Sequence, residues 1–260
     1  MANSFNGLSF EELKNFLDEK ALSYNNPDFI TEDPIGLVRR FEDTKDREIM
    51  GLITATIAWG NRKSILKSGE KLIQLFGFSP YEFVQNYSPK QSKNLNFVHR
   101  TFQSEDLDYF IRILQKAYSE FDSISSLFND NTEVPSVKSR IMNFRSYCMQ
   151  IEHHQRSEKH ISNPDKGSSS KRLNMFLRWM VRQDNNGVDL GLWSNISMSE
   201  LNVPLDVHTG NIARKLGLIT RNANDWKALE ELMGFLRKMD PKDPSKYDFA
   251  LFGLGVNEDF

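Results

Sequence analysis

Within residues 166–218 a lysine and an aspartate, 35 residues apart, each stand where a helix is expected to begin. Lys171 follows the small-residue turn Gly167-Ser168-Ser169-Ser170 and leads into an apolar stripe, Leu173, Phe176, Leu177 and Met180, spaced as on an amphipathic helix. Its amine is therefore expected in a first helical turn, among backbone N–H groups that have no intrahelical partner. Asp206 follows Pro204-Leu205 and precedes a second stripe through Ile212, Ala213 and Leu216, with Gly217 as a natural stop. A carboxylate there caps the helix, and the dipole favours its ionised form. If the fold joins the two helix starts, the pair supplies an amine nucleophile and a carboxylate to take its proton or steady a developing positive charge. The plainer alternatives are a lysine that contacts phosphate and an aspartate that only caps.

The elements that must position this pair read as helices throughout. Ser9 and Glu12 form a capping box ahead of Leu13, Phe16 and Leu17. Pro34 suits the first position of a short helix. Residues 46–59 carry the strongest core pattern, Ile49, Leu52, Ile53, Thr56 and Ile57, and end at Gly60-Asn61. Further helices are expected over 64–76, from Ser79-Pro80, from Asp106 to Tyr118, over 124–128, 134–148 and 227–239, and in the closing run 247–255. Strand-like alternation is almost absent, so the expected class is all-α. Two breaks interrupt the pattern. Residues 152–170 are the least hydrophobic and read as a solvated loop or hairpin, and residues 184–199 insert irregular chain between the two key helices. In the first break, His153, His154 and His160 invite a metal, but adjacent histidines diverge on a helix and no acidic partner has matching spacing. No metal site and no cofactor are expected.

With 260 residues the chain can bury a substantial core, and its net charge of −2 gives no global attraction to nucleic acid. The distribution differs from the sum: residues 156–182 hold seven basic and two acidic side chains, and residues 240–260 hold five acids and two bases. Cys148 is the lone cysteine, which excludes an internal disulfide and a cysteine-ligated iron–sulfur cluster and fits a reducing compartment. No basic leader and no long apolar run appears, so a cytoplasmic protein without a membrane partner is expected.

The run Pro204-Leu205-Asp206-Val207-His208, followed by residues 211–218 (NIARKLGL), resembles the signature of the helix-hairpin-helix DNA glycosylases. Gly167 and Lys171 match the glycine and lysine of their hairpin, with Ser169 at the second glycine and a longer lysine-to-aspartate spacing, as in the archaeal 8-oxoguanine DNA glycosylases. Across most of its length the chain is still more similar to the bacterial DUF2400 proteins, through KRLNMFLRWMVR, PLDVHTGNIARKLGL and YDFALFGLG. The glycosylase resemblance implies two helical lobes around a cleft, a central one over 45–165 and a terminal one from 1–44 plus 166–260. It implies a monomer acting on double-stranded DNA with a damaged base, an oxidised purine among the candidates. Lys171 would be the Schiff-base nucleophile and Asp206 its partner. Asn61 and Arg62, with Trp59 before them, match positions that fill the gap left by an extruded base, although Trp59 is equally read as core. Lys166, Gly167, Ser168, Ser169, Ser170, Arg172 and His208 would contact DNA, the 152–170 loop would meet phosphate, and Trp193 and Phe144 would wall the base pocket. For Trp193 the alternative is a plug of packed hydrocarbon. The competing function is a helix-hairpin-helix module that binds nucleic acid without cutting it.

Overall fold

The computed structural model describes residues 7–28, 30 and 33–257; Glu258 and Asp259, counted in the acidic C-terminal balance, lie outside them. Among the described residues the chain is all-α: helices and 3₁₀ turns without a strand, with isolated β bridges such as His99–Phe102 and Ser168–Asp225. None of these helices is long and apolar enough to cross a membrane. The chain forms two compact units, residues 30–162 and residues 1–29 with 163–260. The short helix Ile35–Val38 belongs to the 30–162 unit, where Ile35, Leu37 and Val38 are buried and Leu37 packs against Gly69.

The N-terminal segment of the other unit contributes α1, Phe10–Tyr24. In the 30–162 unit come α2 (Ile35–Val38), α3 (Thr44–Ile57), α4 (Arg62–Leu75), α5 (Pro80–Gln85), α6 (Pro89–Ser92), α7 (Ser104–Glu120) and α8 (Val137–Met149). Asp43 starts α3 by accepting from the backbone N–H groups of Lys45 and Asp46, and every residue from Glu48 to Ile57 is buried. A helix segment buried on all sides needs its enclosed acid satisfied. Glu48 accepts from Tyr118 Oη at 2.8 Å, from Ser123 Oγ, and from the Ile124 amide at 3.3 Å.

Residues 152–162 correct the solvated-loop expectation for that part of the break. Gln155–His160 forms a 3₁₀ helix in which Ser157 and His160 are buried. The cause is Asp106, a fully buried carboxylate that accepts from Ser157 Oγ at 2.6 Å and the Gln103 amide at 2.8 Å and lies 3.2 Å from Arg156 and 3.4 Å from His160. A polar segment is drawn inward because a buried acid requires donors.

The second unit continues with α9 (Lys171–Val181), α10 (Val207–Lys215), α11 (Trp226–Met239) and α12 (Tyr247–Asn257). α12 is almost wholly apolar and packs on both α1 and α10. Gly253 makes the α1 contact possible: a Cβ there would collide with the Tyr24 ring. Gly253→Ala is accordingly expected to destabilise the protein by about 1–3 kcal/mol, the usual cost of overpacking, read as a lowered urea midpoint. An unchanged midpoint would mean that the Tyr24 ring swings aside freely.

Candidate active site

The hairpin before Lys171 is built from short-range polar contacts. Asn163 Oδ1 accepts from the Lys166 amide at 3.2 Å, capping the 3₁₀ turn Pro164–Lys166. Gly167 then takes a φ of 88°, which only glycine adopts without strain. The Trp226 amide donates to Gly167 O at 2.9 Å, anchoring the turn to the start of α11. The arm ahead of Lys171 is thus a 3₁₀ turn. Ser170, in left-handed backbone at φ 52° and 1% exposed, occupies the N-cap position of α9.

Three contacts bring Lys171 and Asp206 together. Ser169 Oγ donates to Leu205 O at 3.3 Å, joining the hairpin to the residue before the aspartate. Asn174 Nδ2 donates to Ser169 O at 2.9 Å, holding that hairpin residue from inside α9. On the far side, Asn224 Nδ2 donates to Asp206 O at 2.9 Å, fixing the aspartate's own backbone. Asp206 Oδ1 accepts from the Thr209 amide at 2.9 Å as the N-cap of α10, and Oδ2 lies 3.5 Å from Lys171 Nζ. The side chains are 32% and 21% exposed, so both reach solvent.

Two features around the pair are not evident from sequence. Asn174 Oδ1 and Thr209 Oγ1, each one helical turn beyond Lys171 and Asp206, are buried oxygens with no hydrogen-bond partner among the described residues. Deeper lies an ionic network on the same helix. Arg178 bonds Asp248 and, at 3.2 Å, Asp189; Arg182 bonds Asp184 at 2.6 Å, Asp189 at 3.1 Å and Asp243 at 2.9 Å. Burial pushes the Asp248 carboxyl up to about 7 against the opposing pull of Arg178, and the charge of Asp206 adds to the rise. Asp189 is raised by burial as well.

Other expected site residues fall into three groups. Lys166, Gly167, Ser168 and His208 are exposed, Ser169 is half-buried, and Ser170 is enclosed. Arg172 is largely desolvated, which pushes its guanidinium down to about 10. Asn61 is exposed but uses its side chain to cap α4 through the Ser64 amide, and Arg62 lies 4.0 Å from Asp33. The two aromatic residues expected at the base pocket are both enclosed. Phe144 is fully buried and stacked on Phe128 with centroids 4.7 Å apart, and Trp193 is 4% exposed in a T-shaped contact with Phe176. Neither presents a free face on which a base can stack. Among the described residues no three His, Cys, Asp or Glu side chains are grouped to hold a metal ion.

The family model described as protein of unknown function (DUF2400) matches residues 33–257. The chain belongs to this family. The match spans α2 to α12, so it includes both Lys171 and Asp206 of this DUF2400 protein. Comparison with curated proteins and with solved structures gave no match.

Proposed function

We propose that this DUF2400 protein is a DNA glycosylase with lyase activity, acting on a modified base, with oxidised purines the first class to test. The observation that carries the reading is the 3.5 Å approach of Lys171 Nζ to the Asp206 carboxylate at two helix starts. The hairpin and aspartate motifs, which resemble those of helix-hairpin-helix glycosylases, supply the reaction.

A base inside a duplex is out of reach, so it is extruded at an unstacking cost of a few kcal/mol, lowest for damaged or mispaired nucleotides. Lys171 transfers a proton to the adjacent carboxylate and its free amine attacks C1′. The glycosidic C1′–N bond breaks, and the base leaves with the bonding electrons and takes up a proton. Ring opening gives a Schiff base between Lys171 and C1′. Loss of the C2′ proton then expels the 3′-phosphate and nicks the strand, and hydrolysis of the imine frees the lysine.

Borohydride trapping on duplexes carrying 8-oxoguanine, other lesions or an abasic site tests this. Wild type is expected to form a covalent adduct that Lys171→Gln does not. Asp206→Asn keeps the helix cap, because asparagine caps as well as aspartate, so its expected loss of about 10²- to 10⁴-fold in rate reports chemistry rather than folding. Salt-sensitive binding with neither adduct nor base release would make the protein a non-catalytic nucleic-acid-binding module instead.

A further inference from the structure

We infer that Arg100, at the tip of the tight turn 99–102, is a phosphate-contacting residue for a nucleic-acid duplex. The inference rests on the DNA reading above for its partner, but it concerns the 30–162 unit and not the lysine–aspartate pair.

Arg100 adopts a φ of 54°, in the left-handed region where an arginine costs free energy that a glycine would not. The turn cannot relax by swinging away, because its two flanking residues are clamped. His99 and Phe102 exchange both backbone hydrogen bonds, at 2.8 and 2.9 Å, and are 3% and 0% exposed. The His99 ring is held by Ser68 Oγ at 2.9 Å and by Trp59 O at 3.2 Å, and Phe102 packs against Phe97, Phe110 and His160. Such strain persists only when the surroundings over-determine it, and it gathers at working sites.

The strained position presents a free cation. Arg100 is exposed and makes no hydrogen bond or ion pair among the described residues. Its guanidinium rests over Gly60, itself at φ 99°, where a Cβ would come within 2.8 Å of Nη1. Two turns with left-handed backbone therefore meet so that this side chain can lie across one of them. Glu105 and Asp106, a few residues on in the chain, face Arg156, which itself donates to Thr101 O beside the tip at 3.0 Å. Positive charge is left over at the tip, on the side chain whose planar fork matches phosphate oxygens.

The experiment measures binding of a duplex with a tetrahydrofuran abasic analogue by wild type, Arg100→Gly and Arg100→Asn over a range of salt. Both substitutions suit the left-handed backbone, so neither is expected to lower the melting temperature, and Arg100→Gly is expected to raise it. Affinity near 0.1 M salt should fall about three- to tenfold, and the slope of log K against log salt should shrink by about one. Greater stability with weaker binding is the mark of a residue kept for its partner. Variants that bind as wild type does, with the same slope, overturn the inference alone. A wild type that binds but forms no borohydride adduct removes the lyase reading and leaves Arg100 standing, whereas a wild type that binds no duplex removes both.

Discussion

Arg178→Leu is expected to destabilise the protein by about 3–5 kcal/mol, the range for leaving buried charge without its partner. The guanidinium is 3% exposed, bonds Asp248 and Asp189, and lies 4.6 Å from the centroid of the Phe249 ring. Leucine fills much of the space but leaves Asp189 with Arg182 alone, which already meets Asp184 and Asp243. Asp248 then has no cation bonded to it among the described residues. Urea unfolding at pH 7 reads the loss. Arg221→Gln, which breaks the solvent-exposed pair with Asp225, should leave stability nearly unchanged, so a similar small effect at Arg178 would show that the network carries no strain when opened. Lys171 lies two helical turns before Arg178 on α9, and Asp248 lies on α12, which packs on the α10 that Asp206 caps. The network thus ties together the elements that hold the candidate pair.

This network also explains why local charge was a poor guide. Residues 156–182 show a basic surplus in sequence, but Arg178 and Arg182 are buried against acids at 184, 189, 243 and 248, all outside that window. Asp243 and Asp248 are in turn part of the apparent acidic excess near the C-terminus. Helix starts were legible because capping is local: Asp206 reaches an amide three residues on, and Ser9 and Glu12 close their box within one turn. Where the two starts meet was not legible from periodicity. It depends on Ser169 finding Leu205, on Asn224 finding the Asp206 carbonyl, and on the Ser168–Asp225 bridge. Ser169 stands where the resembled hairpin has glycine, and the hydroxyl that departs from the motif is the one that makes the first of these contacts. The burial of the aromatic rings is hidden from sequence for a different reason. Residue type gives a ring's size but not the face of the fold it meets, and Phe144 and Trp193 both pack inward. Low hydropathy likewise hid His160 and Ser157, since polar groups can be buried by a polar partner about 50 residues earlier.

The second large effect is a pH dependence specific to Asp248. Its carboxyl is pushed up to about 7 in the folded protein from an ordinary value of 3.8. Below that ordinary value both folded and unfolded chains hold the proton and the group has no effect. Between about 4 and 7 the unfolded chain has released the proton while the folded one retains it, so wild-type stability falls as pH rises and levels off above about 7. A shift of this size corresponds to about 4 kcal/mol over the window. An amide in place of the carboxyl has no proton to lose and escapes the decline, so Asp248→Asn is expected to gain on wild type as pH rises from 5 to 8. Asp18, Asp184 and Asp240, whose carboxyls are lowered, push the opposite way in both proteins and cancel in the difference. Denaturation midpoints of the two proteins at pH 5, 6, 7 and 8 measure it, and a gap that does not change with pH would refute the raised carboxyl. The neighbouring charges give the effect a signature. Asp206 raises the Asp248 value and Lys171 lowers it, so Asp206→Asn should move the upper edge of the window below 7, and Lys171→Gln should move it above. Opposite displacements from the two substitutions would establish, without any substrate, that the surface pair and the buried acid share one electrostatic field.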